Sequence, residues 1–294
     1  MRALVLGGGG PIGVAWESGL LSALAEAGAD VSDADLIVGT SAGSVVGSQL
    51  ALGRTPRELY ERQLAPEDPG RREQRNVDLS GVLAQFIKLY TSDRPAQELR
   101  AELGAFALQA DTMSEDEWLA GFLPIEIGTG DTWPTRRFAC TAIDTADGAF
   151  VVWDNDSNVP LSLAVASSCA VPGVFPPVTI NGRRYMDGGM RSTTNADLAR
   201  NYEKVLVIPV TTAARPAAAA AVRPDLTEAR RKRFEAEIEG LRALGSAVEV
   251  IGPREEFSLA FGMNLMDFRR RREAAECGLR QGTVEAARVR DFWK

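Results

Sequence analysis

Over the first fifty residues, short apolar runs alternate with longer stretches of helical period. Ala3-Leu4-Val5-Leu6 is a continuous apolar run of the length of a buried strand. Four glycines, Gly7 to Gly10, come next, and then Pro11-Ile12-Gly13. VAWESGLLSALAEAG reads as a helix with Leu20, Leu21 and Leu24 on one face and Gly28 at its C-terminal end. Leu36-Ile37-Val38 is a second buried run, and from Ala42 the chain is small and apolar enough to continue as a helix. Strand, glycine loop, helix, strand, turn, helix implies a parallel sheet with crossover helices.

Thr55 to about Phe122 then breaks the alternation with mostly helical patterns. Pro56 can start one helix, and VLAQFIKLY and AQELRAELGAFAL suggest two more. Residues from about 55 to 135 are therefore expected to form a cap-like helical insertion in a single domain spanning 1–294. In it Leu83, Phe86, Ile87, Leu89 and Tyr90 make one apolar cluster, and Trp118, Leu119 and Phe122 another. Part of this surface is expected to line an acyl channel. Arg71 to Arg75 reads as a solvated connection.

Strands return at Arg137 to Ile143, which pairs back through the Asp147-Gly148 turn with Ala149 to Trp153. A helix is expected after Pro160. A second hairpin turns at Asn181-Gly182 and delivers Asp187-Gly188-Gly189. Lys204 to Pro209 and Val248 to Ile251 are further buried runs. AARPAAAAAVRP, about 213–224, reads as a surface loop, and Asp225 can cap the charged helix after it. Asn264 onward gives one or two closing helices. Their arginines, Arg269 to Arg272 and Arg280, read as a solvated face, with a phospholipid headgroup contact as the alternative.

Composition changes this picture in two ways. A net charge of −7 argues against a nucleic-acid partner and gives no attraction to an anionic membrane. Three widely spaced cysteines, Cys140, Cys169 and Cys277, do not form a disulfide framework and point to a reducing compartment. With neither a signal peptide nor an apolar stretch long enough to span a bilayer, the expected location is the cytoplasm, with a transient membrane-surface contact as a further expectation.

The candidate chemistry centres on Gly39-Thr40-Ser41-Ala42-Gly43. Gly-x-Ser-x-Gly between a strand and a helix is the form of a nucleophile elbow, which exposes the Ser41 hydroxyl and aims a helix N-terminus at developing negative charge. The chain contains no histidine. Any base for Ser41 must then come from Asp, Glu, Lys or Tyr. The glycine loop has two functional readings. Gly8-x-Gly10-x-x-Gly13, with Asp33 or Asp35 downstream, formally fits a dinucleotide fingerprint. As an oxyanion hole, the loop instead converges backbone amides on a developing alkoxide beside Ser41, and this is the reading we adopt.

Gly8-Gly9-Gly10-Pro11-Ile12-Gly13, Gly39-Thr40-Ser41-Ala42-Gly43 and Asp187-Gly188-Gly189 together resemble the patatin-like phospholipase family. ASSCAVPGVFPPV before the aspartate and NLMDFRRRREAAECGLRQG near the end are also similar to it. The resemblance implies a three-layer α/β/α fold with a mainly parallel central sheet. It implies a Ser-Asp dyad, with Ser41 as nucleophile and Asp187 as proton acceptor, and an oxyanion hole from the amides of Gly8, Gly9 and Gly10. Gly13, Gly39, Gly43, Gly188 and Gly189 would support these motifs. The implied reaction is hydrolysis of lipid acyl esters with no metal and no cofactor. Family members commonly carry a basic residue before the last loop glycine, where this chain has Ile12. Acyl transfer from the same serine, or a non-enzymatic nucleotide-binding module, are the alternatives. Asp144 and Asp154 are the carboxylates that would replace Asp187 if it were not the base.

Overall fold

The computed structural model describes residues 1–66, 84–85, 87–89, 91–126, 131–211, 224–262 and 264–294. Leu83, Phe86 and Tyr90, the arginines of 71–75 and the stretch from 213 to 223 therefore lie outside the described residues.

The first apolar run is strand β1 (Arg2–Leu6), and the second is β2 (Leu36–Gly39). Between them runs α1 (Gly10–Glu26), with Gly28 in the left-handed conformation just past its end. The helix starts earlier than the pattern suggests, because Pro11 occupies the first turn, where its missing N–H costs nothing. After the elbow come α2 (Ala42–Ala51) and α3 (Pro56–Leu64), the latter capped reciprocally by Thr55 and Glu58. Further along are α4 (Ala96–Gln109), α5 (Glu115–Glu126), β3 (Phe138–Asp144), β4 (Phe150–Asp154) and α6 (Leu161–Ser168). The Asn181-Gly182 hairpin is β5 (Val178–Ile180) and β6 (Arg183–Asp187), with both turn residues at positive φ. The chain closes with β7 (Lys204–Ile208), α7 (Pro224–Ala243), β8 (Ala247–Val250), α8 (Glu255–Phe261) and α9 (Arg271–Trp293). Asp225 falls inside α7 rather than at its cap.

Among the described residues, eight strands form one sheet in the order β5-β6-β3-β2-β1-β7-β8, with β4 also on β3. β1 pairs parallel with β2 and β7, β2 with β3, and β7 with β8. The hairpin end is antiparallel. Successive strand residues face opposite layers: Leu4 and Leu6 join one core cluster, Ala3 and Val5 the other. α1, α2 and α6 cover the first face, with α9 packed on α1. α7 covers the second face, where Ile238 and Leu241 meet β1, β2 and β7, and α4 covers it beside β3. This is a three-layer α/β/α fold.

The helices between 55 and 135 go to different places. α3 packs on α1 and α9, α4 on β3 and α5 on α6. Trp118 is buried and stacks on Phe175 with ring centroids 5.1 Å apart.

The two edges of β3 are used differently. β4 pairs with residues 139–143 along one of them. β2 pairs with residues 138–140 and β6 with residues 142–144. A strand has only two edges, so β2 and β6 share the other one. They approach end to end, since β2 is parallel to β3 and β6 antiparallel, and only Thr141 separates the register positions of Gly39 and Asp187.

α1 and α9 cross with their backbones in contact. A Cβ on Gly19 would lie 1.9 Å from the Ala275 carbonyl oxygen, and one on Gly278 would lie 2.1 Å from that of Trp16. Gly19→Ala is therefore expected to destabilise the fold by at least about 2 kcal/mol. By contrast, a Cβ on Gly240 in α7 meets open space. Gly240→Ala is expected to stabilise by about 0.5–1 kcal/mol. Urea unfolding of both variants checks the pair.

Candidate active site

Ser41 sits where β2 turns into α2, with φ 52° and ψ −116°. That is a costly conformation for a residue with a Cβ. Its neighbours explain how it is held. The Ser41 amide donates to Ser168 Oγ at 3.0 Å. Its carbonyl accepts from Ser44 Oγ at 2.6 Å and from Cys169 Sγ at 3.4 Å. The flanking glycines are steric requirements of the same turn. A Cβ on Gly39 would lie 2.4 Å from the Gly43 carbonyl oxygen, and one on Gly43 would lie 2.1 Å from that of Leu6.

Asp187 ends β6, and its carboxyl accepts the Gly189 amide at 2.7 Å and lies close enough to the Ser41 hydroxyl for that group to lower its pKa. It is only 2% exposed. Burial pushes its pKa up from 3.8 to about 7, against the lowering effect of the nearby Ser41 hydroxyl and the Gly189 amide. Gly188 lies flat on β3, where a Cβ would come within 2.2 Å of Thr141 Oγ1. The alternative carboxylates are otherwise engaged. Asp144 is ion-paired to Arg183 and caps the Ala146 amide, while Asp154 accepts from Ser157 Oγ and the Asp156 amide.

The glycine loop lies beside Ser41, and a Cβ on Gly8 would be 3.3 Å from that of Ser41. Its three amides are not equivalent. Gly8 N–H donates to the Thr193 carbonyl at 2.7 Å, so the expectation that it belongs to the oxyanion hole is corrected. The amides of Gly9 and Gly10 have no partner among the described residues. Gly9 is glycine for a packing reason, since a Cβ there would lie 2.5 Å from Val210 Cγ1. Gly13, inside α1, faces Ala42 of the elbow helix.

The dinucleotide reading of this loop fails on position. Asp35 accepts the Arg2 amide, and Asp33 pairs with the Arg2 guanidinium, so both lie at the opposite end of β1 from the glycines. Among the described residues, no group of three or more His, Cys, Asp or Glu could hold a metal ion, and no helix is long and apolar enough to cross a membrane. Arg270, before α9, and Arg271 and Arg272, at its start, make internal contacts. Arg271 donates to the Ala65 and Pro66 carbonyls, Arg272 to that of Leu64, and Arg270 lies over the Phe261 ring. Arg271 and Arg272 thus clasp the C-terminus of α3, where cations are favoured.

The sequence matches the patatin-like phospholipase family over residues 4–200. The chain belongs to the patatin-like phospholipase family. Solved structures similar to it include VipD from Legionella pneumophila, at 14% identity and a TM-score of 0.45, covering 99% of this chain and 66% of that one. The type III effector ExoU is similar at 14% identity and a TM-score of 0.40, covering 98% of this chain and 53% of that one. This chain thus spans two thirds or less of the length of either. No curated protein matches the sequence. In this patatin-like chain Ile12, at the position of the usual basic residue, is fully buried, and its amide donates to the Leu265 carbonyl. A cation at that position would have to be buried in the core.

Sequence reasoning missed Ser168, Thr193 and Asn195, all of which lie in or just beyond the motifs it quoted. Asp187 also carries a consequence for stability. Folding raises its pKa, so the folded state binds the proton more tightly than the unfolded chain, and stability falls as pH rises between about 4 and about 7. Asp187→Asn removes that cost. The variant is expected to be more stable than the parent at pH 8 by on the order of 3 kcal/mol, with the difference shrinking toward pH 4. Thermal unfolding at the two pH values checks this.

Proposed function

We propose that the protein hydrolyses acyl esters of lipids with a Ser41–Asp187 dyad. The observation that carries this reading is a buried carboxyl brought against the elbow serine, with one β3 residue between their strand ends, in a chain with no histidine. Family membership supports a lipid ester as substrate.

In the acylation step Ser41 Oγ attacks the ester carbonyl carbon while its proton passes to Asp187. Negative charge gathers on the carbonyl oxygen, where the amides of Gly9 and Gly10 and the N-terminus of α2 stabilise it. Collapse breaks the bond to the alcohol, which leaves with the proton held by Asp187. Water then attacks the acyl-serine, giving a proton to Asp187, and as the bond to Ser41 Oγ breaks Asp187 returns that proton to the serine and the free acid departs. The base must be ionised to start. An ordinary aspartate would be ionised at neutral pH but too weak a base, and burial corrects the second property while keeping the first half satisfied near pH 7.

Ser41→Ala and Asp187→Asn are each expected to lower turnover of a p-nitrophenyl ester by at least about a thousandfold while remaining folded. A fluorophosphonate should label the parent and not Ser41→Ala. The kcat/KM of the parent should rise with pH to a plateau with a midpoint at about 7, the value set by burial of Asp187. Full hydrolysis by Asp187→Asn would sink the dyad. Product analysis with phospholipids in the presence of alcohols separates hydrolysis from acyl transfer.

A further inference from the structure

Ser41 follows β2 and Asp187 ends β6, and these two strands meet end to end rather than side by side, so no ladder between them fixes the separation of the two groups. Each strand is held to β3 by only three residue pairs.

One side chain bridges the junction. Asn195 is fully buried, and its Nδ2 lies 2.8 Å from the Ser192 carbonyl, 3.0 Å from Thr40 Oγ1, 3.2 Å from Thr141 Oγ1 and 3.4 Å from the Gly188 carbonyl. Thr40 precedes the nucleophile, Gly188 follows the base and Thr141 is the β3 residue between them. Thr40 and Thr141 also share a hydrogen bond, with their hydroxyls 3.2 Å apart. The orientation of the carboxamide is set from its other side, where Oδ1 accepts from Arg191 Nη1 at 2.8 Å. Arg191 is in turn held by both carboxylate oxygens of Asp197. Asn195 itself has φ 48° and ψ 40°, the left-handed region that asparagine tolerates better than most residues with a side chain. Its amide and that of Thr194 both donate to Ser192 Oγ. The whole turn is built to point one NH2 group at both halves of the site.

We propose that Asn195 is a positioning residue that sets the distance between Ser41 and Asp187, by tying Thr40 and Gly188 to Thr141 through one carboxamide. The proposal rests on the dyad reading. Asn195 touches neither the substrate nor the reacting atoms. Its effect is to keep the Ser41 hydroxyl within hydrogen-bonding reach of the Asp187 carboxyl, where a small displacement is costly for proton transfer.

Asn195→Gly keeps the left-handed backbone available and removes the fork. With a p-nitrophenyl ester as probe, its kcat is expected to fall about a hundredfold with KM within about twofold of the parent, because orientation and not binding is lost. Thr141→Val, which removes the oxygen between the two strands at nearly constant volume, is expected to lose about tenfold in kcat, and Thr141→Ser to restore it to within about threefold of the parent. A folded Asn195→Gly protein with parental kcat would overturn the proposal. Should that variant fail to fold, the threonine pair decides, and equal turnover by Thr141→Val and Thr141→Ser overturns it. Ser41→Ala and Asp187→Asn run alongside as the reference. Turnover surviving in either overturns the dyad and this proposal together, whereas their inactivity with an unimpaired Asn195→Gly overturns the positioning role alone.

Discussion

Sharing one edge of β3 between β2 and β6 is the constraint on which the site depends. The first half of that edge receives a parallel strand from the N-terminal part of the chain, and the second half an antiparallel strand from a hairpin. Two strand ends are thereby aimed at each other across a single residue. Parallel strands alone would place their C-terminal ends side by side, about 5 Å apart per strand, with loops diverging from there. The switch to an antiparallel neighbour at β3 brings a carboxylate back toward the elbow from the opposite direction. The glycines at the junction are a consequence, since Gly39 and Gly188 both lie where another backbone or Thr141 already occupies the space of a Cβ.

The same closeness explains the electrostatics. A carboxyl driven into the sheet junction loses its water and gains the Gly189 amide, with the Ser41 hydroxyl nearby, in exchange. Its pKa therefore climbs to about 7, the range that an imidazole would ordinarily occupy in such a site. The strained Ser41 and the desolvated Asp187 each make the fold less stable, and each is surrounded by bonds that hold it: Ser168, Ser44 and Cys169 on one side, the Asn195 turn on the other. Destabilised groups locked by their surroundings are what a reactive centre requires.

Much of this was legible in the sequence. The strand-and-helix alternation, both hairpins and the elbow rest on local rules of period, turn chemistry and φ, and those rules hold here. Less legible was everything decided by distant residues. That the Gly8 amide goes to Thr193 depends on a partner beyond the Asp-Gly-Gly turn, and Gly9 is small because Val210 comes up behind it. Of the basic run, Arg269 and Arg280 are exposed, as read, but charge alone does not reveal the α3 carbonyls that Arg271 and Arg272 meet. Asn195 carried no local signal beyond a turn-forming type, since two of its partners, Thr40 and Thr141, lie on distant segments.

The separation of the two halves along the chain has a temporal meaning. During synthesis the first strands, the glycine loop and the elbow emerge well before the Asn181-Gly182 hairpin. A nascent protein therefore carries the elbow serine before its proposed base. Moreover, the edge of β3 that should receive β6 stands open until that hairpin docks. On the dyad proposed above, the site is complete only once that hairpin has docked on β3, so a chain made no further than β3 would be chemically silent.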